Sequence, residues 1–181
     1  RSIGYGNGLF IAVGDRIATS PDGFEWTLEE GVQGLSLNSA TGGNGTWVAV
    51  GNNPSLLLVK TNGGAWTLND SAILTSSLNQ VIYAANHFVA VGNGGSVYGS
   101  VDGLTWDERS SFGIAGVGSA LFAQRGIVYG NEEYAMVGDR GDISVSPKVD
   151  PESGLPAPVQ NLSSFGGSDQ DSLNSFSFTS A

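Results

Sequence analysis

Short apolar runs that end in Val-Gly recur along this chain and predict a set of repeated β-strands. The four runs are LFIAVG, TWVAVG, HFVAVG and EYAMVG, and their glycines stand at positions 14, 51, 92 and 138. Runs of this length, rich in Val and aromatic residues and bounded by Gly, Asn or Asp, are typical of strands. The intervals of 37, 41 and 46 residues between the glycines predict a repeated supersecondary unit.

Turn signals stand on both sides of these runs. Three runs follow a loop rich in Gly and Asn, at residues 5–8, 42–45 and 129–132. Asn and Gly tolerate the positive φ angles that tight hairpins need. A second strand and a second turn follow each Val-Gly. Each unit therefore holds about four short strands in roughly 40 residues, which is the size of a propeller blade.

The units begin near residues 1, 35, 78 and 119, and they predict an all-β, β-propeller-like fold of four blades. The fourth unit is a copy of the first, because Arg1–Arg16 and Arg125–Arg140 share nine of sixteen positions in a gap-free alignment. Its second turn, however, has neither Asp-Gly nor Trp. We therefore predict that the last blade is incomplete. The missing strand could come from the tail of the chain, from a larger propeller or from another chain.

The second turns of the first three units share an acidic or amide residue, a Gly and a Trp at one spacing. They contain Asp22, Gly23 and Trp26; Asn62, Gly63 and Trp66; and Asp102, Gly103 and Trp106. Asp or Asn can accept hydrogen bonds from turn amides while Gly takes the left-handed conformation. Trp can cover the hairpin and pack against the neighbouring unit. We predict structural roles for these nine residues.

These turns resemble the Asp-box, or bacterial neuraminidase repeat, whose motif is Ser/Thr-x-Asp-x-Gly-x-x-Trp. The turns here are one residue shorter between Asp and Gly, and Lys60 replaces the hydroxyl residue in the second. The resemblance covers residues 1–149 and implies propeller blades in which the turns are structural. Similar repeats occur in sialidases, sorting receptors, a photosystem assembly factor and bacteriophage virion proteins, so the resemblance leaves the activity open.

The composition changes after the fourth unit. Residues 150–174 are rich in Pro, Ser, Gly and Asp and predict a linker. Residues 175–181 alternate polar and aromatic side chains, which predicts a strand-like arm with Phe176 and Phe178 on one face. Such an arm suits either closure of the propeller or addition of a strand to another protein chain.

Charge and composition exclude several functions. Seven Lys and Arg against seventeen Asp and Glu give a net charge of −10, which repels phosphate backbones and argues against nucleic-acid binding. No window is apolar enough for membrane insertion. The chain has no Cys and one His, so we predict no metal site and no cofactor. Because it opens on Arg1 rather than Met, we expect a processed chain or part of a longer protein.

Catalytic chemistry has few candidates. His87 stands alone, at the start of a hairpin strand. A sialidase would need clustered arginines and a Tyr nucleophile. The candidates are Arg1, Arg16, Arg109, Arg125, Arg140, Tyr5, Tyr129 and Tyr134. However, Arg1 and Arg125 occupy equivalent repeat positions, as do Arg16 and Arg140, which favours structural roles. We predict no catalytic residue.

We therefore expect a non-enzymatic structural or binding module of an extracellular assembly. The resemblance implies a phage virion component, such as a decoration, tail or fibre protein, so the expected location is the virion or the extracellular space. Its expected partners are other protein chains of the assembly and surface glycans. The alternatives are a carbohydrate-binding propeller and a fragment of a sialidase-like glycoside hydrolase.

Overall fold

The computed structural model describes residues 1–53, 56–70, 74–108, 123–141, 143–146 and 160–161. They form four antiparallel sheets, and the strands of each sheet lie in chain order. The predicted all-β, propeller-like fold is confirmed. In chain order the strands are β1 Ser2–Gly6, β2 Leu9–Val13, β3 Arg16–Ser20, β4 Thr27–Gln33, β5 Leu37–Gly43, β6 Thr46–Gly51, β7 Leu57–Thr61, β8 Thr67–Leu68, β9 Leu78–Ala84, β10 His87–Gly92, β11 Val97–Ser100, β12 Asp107–Glu108, β13 Gln124–Gly130, β14 Glu133–Gly138, β15 Ile143–Ser146 and β16 Gln160–Asn161.

Each sheet is one blade, and we number the blades 1 to 4 from β1–β4 to β13–β16. The first strands lie side by side, since β1 contacts β5, β5 contacts β9 and β9 contacts β13. Within the part of the chain that the structure describes, no contact of comparable extent joins β13 back to β1. The four blades therefore form an open arc with the first strands on its inner side.

Blade 4 corrects the prediction of an incomplete last blade. Its fourth strand, β16, pairs with β15 through Ser144 opposite Asn161 and Val145 opposite Gln160. The strand comes from residues 150–174, the range that the sequence analysis assigned to a linker. The tail thus supplies a missing strand, because the ladder groups of β15 need pairing whatever the intervening sequence. The boundaries at 149 and 174 stay predictions, and Phe176 and Phe178 lie outside the described residues.

The Val-Gly repeat marks a close approach of two backbone segments. A Cβ atom on Gly51 would collide with the carbonyl oxygen of Ser36, and one on Gly138 would lie 2.7 Å from the Ala123 oxygen. The residues after Gly51, Gly92 and Gly138 donate their N–H to that same carbonyl, at 2.9 Å from Asn52 to Ser36. At Gly14 an added Cβ would meet only the Arg1 nitrogen, at 3.5 Å. At the other three positions the glycine therefore lets the chain entering a blade bond to the turn that follows the second strand.

The core lies between the blades. Ile11 and Val13 of β2 pack in one cluster with Trp47 and Ala49 of β6. The same arrangement recurs between blades 2 and 3 and between blades 3 and 4. We call the side of a blade that is turned to the following blade its forward face, and the other side its backward face. Alternation along a strand puts consecutive residues on opposite faces, so each blade is apolar on both.

Cross-strand aromatic pairs stabilise the backward faces. Tyr83 and Phe88 have ring centroids 4.7 Å apart, and the equivalent pairs in blades 1 and 4 are 5.0 and 4.7 Å apart. Blade 2 has Gly42 opposite Trp47 instead, and the indole occupies the space of the missing side chain, 2.7 Å from an added Cβ. The larger ring of Trp47 thus replaces a pair of rings.

Candidate functional site

The first and third predicted turns share one set of hydrogen bonds. The Asp102 carboxylate accepts from the N–H groups of Leu104 and Thr105, both at 2.8 Å. Ser100 Oγ accepts from the N–H of Gly103 at 2.8 Å. The equivalent bonds of the first turn join Phe24 and Glu25 to Asp22 at 2.9 and 3.1 Å, and Gly23 to Ser20 at 2.8 Å. The two aspartates therefore organise the turn backbone.

These bonds favour the ionised carboxylates. The N–H groups of Phe24 and Glu25 hold the pKa of Asp22 below its usual value. Burial acts to raise the pKa of Asp102, but hydrogen bonds from Thr105, Leu104 and Ser100 outweigh it, so this pKa is also lowered. A carboxylate with a lowered pKa that is engaged in this way is a poor proton donor at neutral pH. Neither aspartate is suited to general acid catalysis.

The second turn is built differently. Asn62 and Gly63 both have positive φ, at 48° and 71°, as the predicted turn requires. Lys60 stands where the other turns have Ser, and its Nζ lies 2.7 Å from Glu29 Oε2 of blade 1. Among the described residues, Trp66 Nε1 has no hydrogen-bond partner, whereas Trp106 Nε1 donates to the Gly103 carbonyl at 3.0 Å. The substitution therefore exchanges a bond within the turn for an ion pair between blades.

The three tryptophans differ in burial. Trp106 is 4% exposed in a cluster with Val48 and Val50 of blade 2, and Trp66 is partly buried against the cluster between blades 1 and 2. Trp26 is 38% exposed, so the prediction that it packs against a neighbouring unit is wrong. Each of the three tryptophans belongs to the backward face of its blade, where the preceding blade covers Trp66 and Trp106. No described blade precedes blade 1, so nothing of this kind covers Trp26.

Most of the arginines gather at one end of the blades. Each strand of a blade runs opposite to the one before it. The segments that precede first strands and follow second strands therefore lie at one end, and the turns that follow first and third strands lie at the other. The first end carries Arg1, Arg16, Arg125 and Arg140 with Asp15 and Asp139; the other carries Asp22, Glu25, Asp102, Asp107, Glu132 and Glu133. We call the first the arginine end. It holds four of the seven cationic side chains of the protein.

A row of polar side chains at the arginine end bridges consecutive blades, and the sequence analysis missed two of its members. Arg1, Asn38 and Asn79 precede or begin the first strands and donate to the next blade. The acceptors are Ser36 Oγ at 2.7 Å and the carbonyls of Leu78 at 2.9 Å and Gln124 at 2.7 Å. The equivalence of these positions in the repeat was the available signal.

Arg125 ends this row. Its Nε lies 2.7 Å from Asp139 Oδ1, and its Nη2 donates to Oδ2 at 3.0 Å. The hydrogen bond that Arg125 donates to Asp139 raises the pKa of the guanidinium, and the charge of the carboxylate adds to this effect. The guanidinium is thus held within blade 4 instead of reaching across a blade interface.

A groove opens at the arginine end beside blade 1. It has a volume of about 650 Å³ and is lined by Asp15, Arg16, Gln33, Gly34, Leu35 and Ser36. We call it the arginine groove. The bond from Arg1 to Ser36 places a second guanidinium at its border. A guanidinium and amide donors suit a carboxylate ligand. The lining has one carboxyl group, Asp15, whereas glycoside hydrolysis commonly uses a pair.

The other catalytic candidates are not brought together at this groove, as far as the described residues show. Tyr134 is buried, and burial together with Tyr129 raises the pKa of its hydroxyl to about 12. That hydroxyl donates to the Ala84 carbonyl at 3.2 Å. His87 begins β10, as predicted, and its Nδ1 lies 2.6 Å from the Ala85 oxygen. Arg109 lies outside the described residues.

The described residues contain neither a metal-binding cluster nor a membrane-spanning helix. No group of three or more His, Cys, Asp or Glu side chains there is arranged to hold a metal ion. No helix in the same residues is long and apolar enough to cross a membrane.

Comparison with known proteins identifies the fold and no closer relationship. No family model and no curated protein matches the sequence. Among solved structures, YCF48 bound to D1 peptide is 17% identical, with a TM-score of 0.60 over 89% of this chain and 52% of that one. YCF48 from Cyanidioschyzon merolae is 14% identical, with a TM-score of 0.63 over 93% and 56%.

A GH74 enzyme from Niastella koreensis is 16% identical, with a TM-score of 0.53 over 82% of this chain and 24% of that one. The chain thus spans about half the length of the YCF48 structures and a quarter of the enzyme. These neighbours are β-propeller proteins and include both binding proteins and enzymes. Likeness at this level of identity shows the fold alone: the chain is built of β-propeller blades.

Proposed function

We propose that this chain is a non-enzymatic binding module that holds a carboxylate-bearing segment of a partner protein in the arginine groove. The observation that carries the proposal is the presence of Arg16 and Arg1 at one open groove of a chain with a net charge of −10. Elsewhere the acidic surface repels such a ligand, and this end attracts it. One structural neighbour is a propeller described as bound to a peptide, which supports peptide binding as the type of function.

Other charged groups are engaged in structural contacts, which supports a non-enzymatic role. Asp22 and Asp102 accept hydrogen bonds from turn amides, and Lys60 pairs with Glu29. GH74 enzymes among the structural neighbours favour a glycoside hydrolase as the second candidate. That candidate needs two carboxyl groups across a substrate cleft, and the arginine groove is lined by Asp15 alone.

Anisotropy of a fluorescein-labelled decaglutamate peptide tests the binding. We expect the chain to bind the peptide in low salt, and Arg16→Ala to weaken binding about tenfold, because a charge-assisted hydrogen bond is lost. Thr105→Glu is the matched control, since it makes the same change in net charge at the opposite end. No binding, or equal loss in both variants, would contradict the proposed site.

Methylumbelliferyl sialosides and glucosides test the enzymatic alternative. We expect no release of methylumbelliferone by the intact chain. Release that disappears in Tyr5→Phe or Tyr129→Phe would overturn the non-enzymatic proposal.

Membership of an extracellular assembly such as a phage virion is the finer part of this proposal, and surface glycans are the alternative ligands. The assembly proposal rests on the low content of charged residues and on the repeat resemblance. Because β16 belongs to blade 4, the informative truncation removes residues 162–181 and keeps Asn161. If the arm is an assembly strand, the native mass of the intact chain is that of a multimer and the truncated chain is a monomer. Monomers in both cases would contradict assembly through the arm.

A further inference from the structure

The backward face of blade 1 is exposed and apolar. Ile3 is 65% exposed and Tyr5 61%, and alternation along β1 puts both on one side of the sheet. Trp26, the equivalent of Trp106, is 38% exposed. Leu28 lies opposite Ala18 in the same row of the sheet and is 56% exposed. Exposed apolar surface of this kind marks a contact surface in a folded protein.

The equivalent residues of the other blades are buried. Strand register aligns Ile3, which pairs with Ala12, with Ala40, Val81 and Ile127, which pair with the matching residues of their second strands. Those three are only 5%, 2% and 4% exposed. The fourth strand does not distinguish a covered face from an uncovered one. Leu68 of blade 2, the equivalent of Leu28, is 60% exposed although blade 1 covers its blade. The difference is confined to the inner strands and the turn tryptophan.

Three interfaces within the protein show what covers a backward face. Between blades 2 and 3, Val48 and Val50 pack in one cluster with Phe88, Ala90 and Trp106. The covering surface is thus the forward face of the preceding blade, with two aliphatic side chains in its second strand. Phe10, Ala12 and Trp26 are the equivalents of the covered residues in blade 1 and fit the same surface.

Two of the three interfaces also carry a bond from a backbone N–H of one first strand to a side chain of the preceding first strand. Val81 N–H donates to Ser39 Oγ at 3.3 Å, and Ile127 N–H donates to Gln80 Oε1 at 2.7 Å. The equivalent of these amides in blade 1 is that of Ile3. An occupant of the face would therefore present a side-chain acceptor at the position that Ser39 and Gln80 take in their blades.

Blade 4 of a second copy is a poor candidate for this occupant. Its forward-face residues Ala135 and Val137 are already buried, at 3% and 2% exposure. Its residue equivalent to Ser39 and Gln80 is Gly126, which has no side-chain acceptor. Arg125, which could otherwise bridge to a following blade, pairs with Asp139 of its own blade.

We propose that the backward face of blade 1 docks the forward face of a further four-stranded blade of the same repeat, additional to the four described. Its second strand carries aliphatic side chains in place of Val48 and Val50. This interface continues the blade-to-blade stacking already present in the protein. The YCF48 structures are about twice as long as this chain, which is long enough for further blades. The proposal does not depend on the arginine groove.

An extended chain tests the proposal. A copy of residues 38–78 is placed directly before Arg1. Arg1 then takes the place of its equivalent Asn79, so the spacing between consecutive units is the natural one. The chain has no Cys, so Ile3→Cys gives one reporter thiol. We expect the extension to slow maleimide labelling of this thiol by about tenfold or more, because reaction then requires local opening, and to raise the melting temperature. Equal labelling with and without the extension would overturn the proposal.

Controls separate docking from other causes. Val48→Asp with Val50→Asp in the added copy alone should restore fast labelling, and Val101→Cys, 59% exposed in blade 3, should label equally in both chains. If the first extension does not fold, a copy of residues 79–124 presents Val89 and Val91 instead and carries the same expectation. Concentration-dependent protection of Ile3→Cys in the unextended chain would show that a second copy covers the face, and would contradict the proposal.

Discussion

Lys60 Nζ lies 2.7 Å from Glu29 Oε2 across the interface of blades 1 and 2, and both side chains are largely buried, at 17% and 19% exposure. Thr19 also donates to the Glu29 carboxylate, at 3.2 Å. Lys60→Met leaves this carboxylate without its cation, so we expect the free energy of unfolding to fall by about 1–3 kcal/mol. Urea denaturation at pH 7 measures the change.

The double variant Lys60→Met with Glu29→Gln is the control for this ion pair. It removes both charges and should recover part of the loss, because the penalty of an unpaired buried charge disappears. A Lys60→Met variant as stable as the parent would contradict the coupling of the two blades through this pair.

The pKa of Asp102 makes stability depend on pH in the acid range. Because the folded pKa lies below the unfolded value of 3.8, the unfolded state binds the proton first as the pH falls. The contribution of the Asp102 carboxylate is therefore complete above about pH 4–5 and is lost as the pH falls through the folded pKa. We expect Asp102→Asn to destabilise the protein at pH 7 and to have a smaller effect at pH 2.5. Urea denaturation between these values measures the difference, and an effect that is constant with pH would contradict it.

Gly103 combines an unusual backbone conformation with an inter-blade contact. Its φ is +78°, and an added Cβ would lie 2.9 Å from Val48 Cγ2 and 3.0 Å from Thr46 Cγ2 of blade 2. We expect Gly103→Ala to cost about 2–3 kcal/mol, from backbone strain and from crowding together. Thermal denaturation measures the cost.

Gly63→Ala is the matched control. Gly63 has a similar φ of +71°, but nothing lies within 4 Å of an added Cβ. This variant should cost only the strain, about 1 kcal/mol. If the two substitutions cost the same, the third turn is not packed against blade 2.

Glu132 is a strained residue that can be relieved. It has a φ of +63° in the hairpin turn of blade 4, where blades 1 and 2 have Gly8 and Gly45 with φ of +79° and +75°. Glu132→Gly should therefore raise the free energy of unfolding by about 0.5–1 kcal/mol, or the melting temperature by about 1–4 °C. The reverse change, Gly8→Glu, should lower it by a similar amount. A melting temperature that falls in Glu132→Gly would contradict this explanation.

The part of the fold that depends on local interactions was predictable. Each Val-Gly run forms the second strand of a blade, and the Asp-Gly turns at Asp22 and Asp102 form the bonds that their residue types allow. Such features are fixed by a few neighbouring residues, so a repeat of about 40 residues shows them directly in the sequence. The number of blades followed from counting the repeats.

The candidate site was less accessible to this reasoning. Arg1 and Arg16 were named as catalytic candidates and dismissed on repeat equivalence, yet they meet at one groove because the strands reverse direction. Asn38 and Asn79 were overlooked, although each bridges two blades. A polar residue at the start of a strand has no local signature of such a role, because its partner lies about 40 residues away.

The sequence by itself determined the strands, their order within each blade and the chemistry of the turns, since antiparallel neighbours in sequence pair through short loops. Only the tertiary structure decided which faces are covered. Trp26 and Trp106 occupy equivalent positions, but one is 38% exposed and the other 4%. Burial depends on whether another blade lies against the residue. The pairing of β16 with β15 was decided in the same way, because an open strand edge accepts whichever segment can reach it.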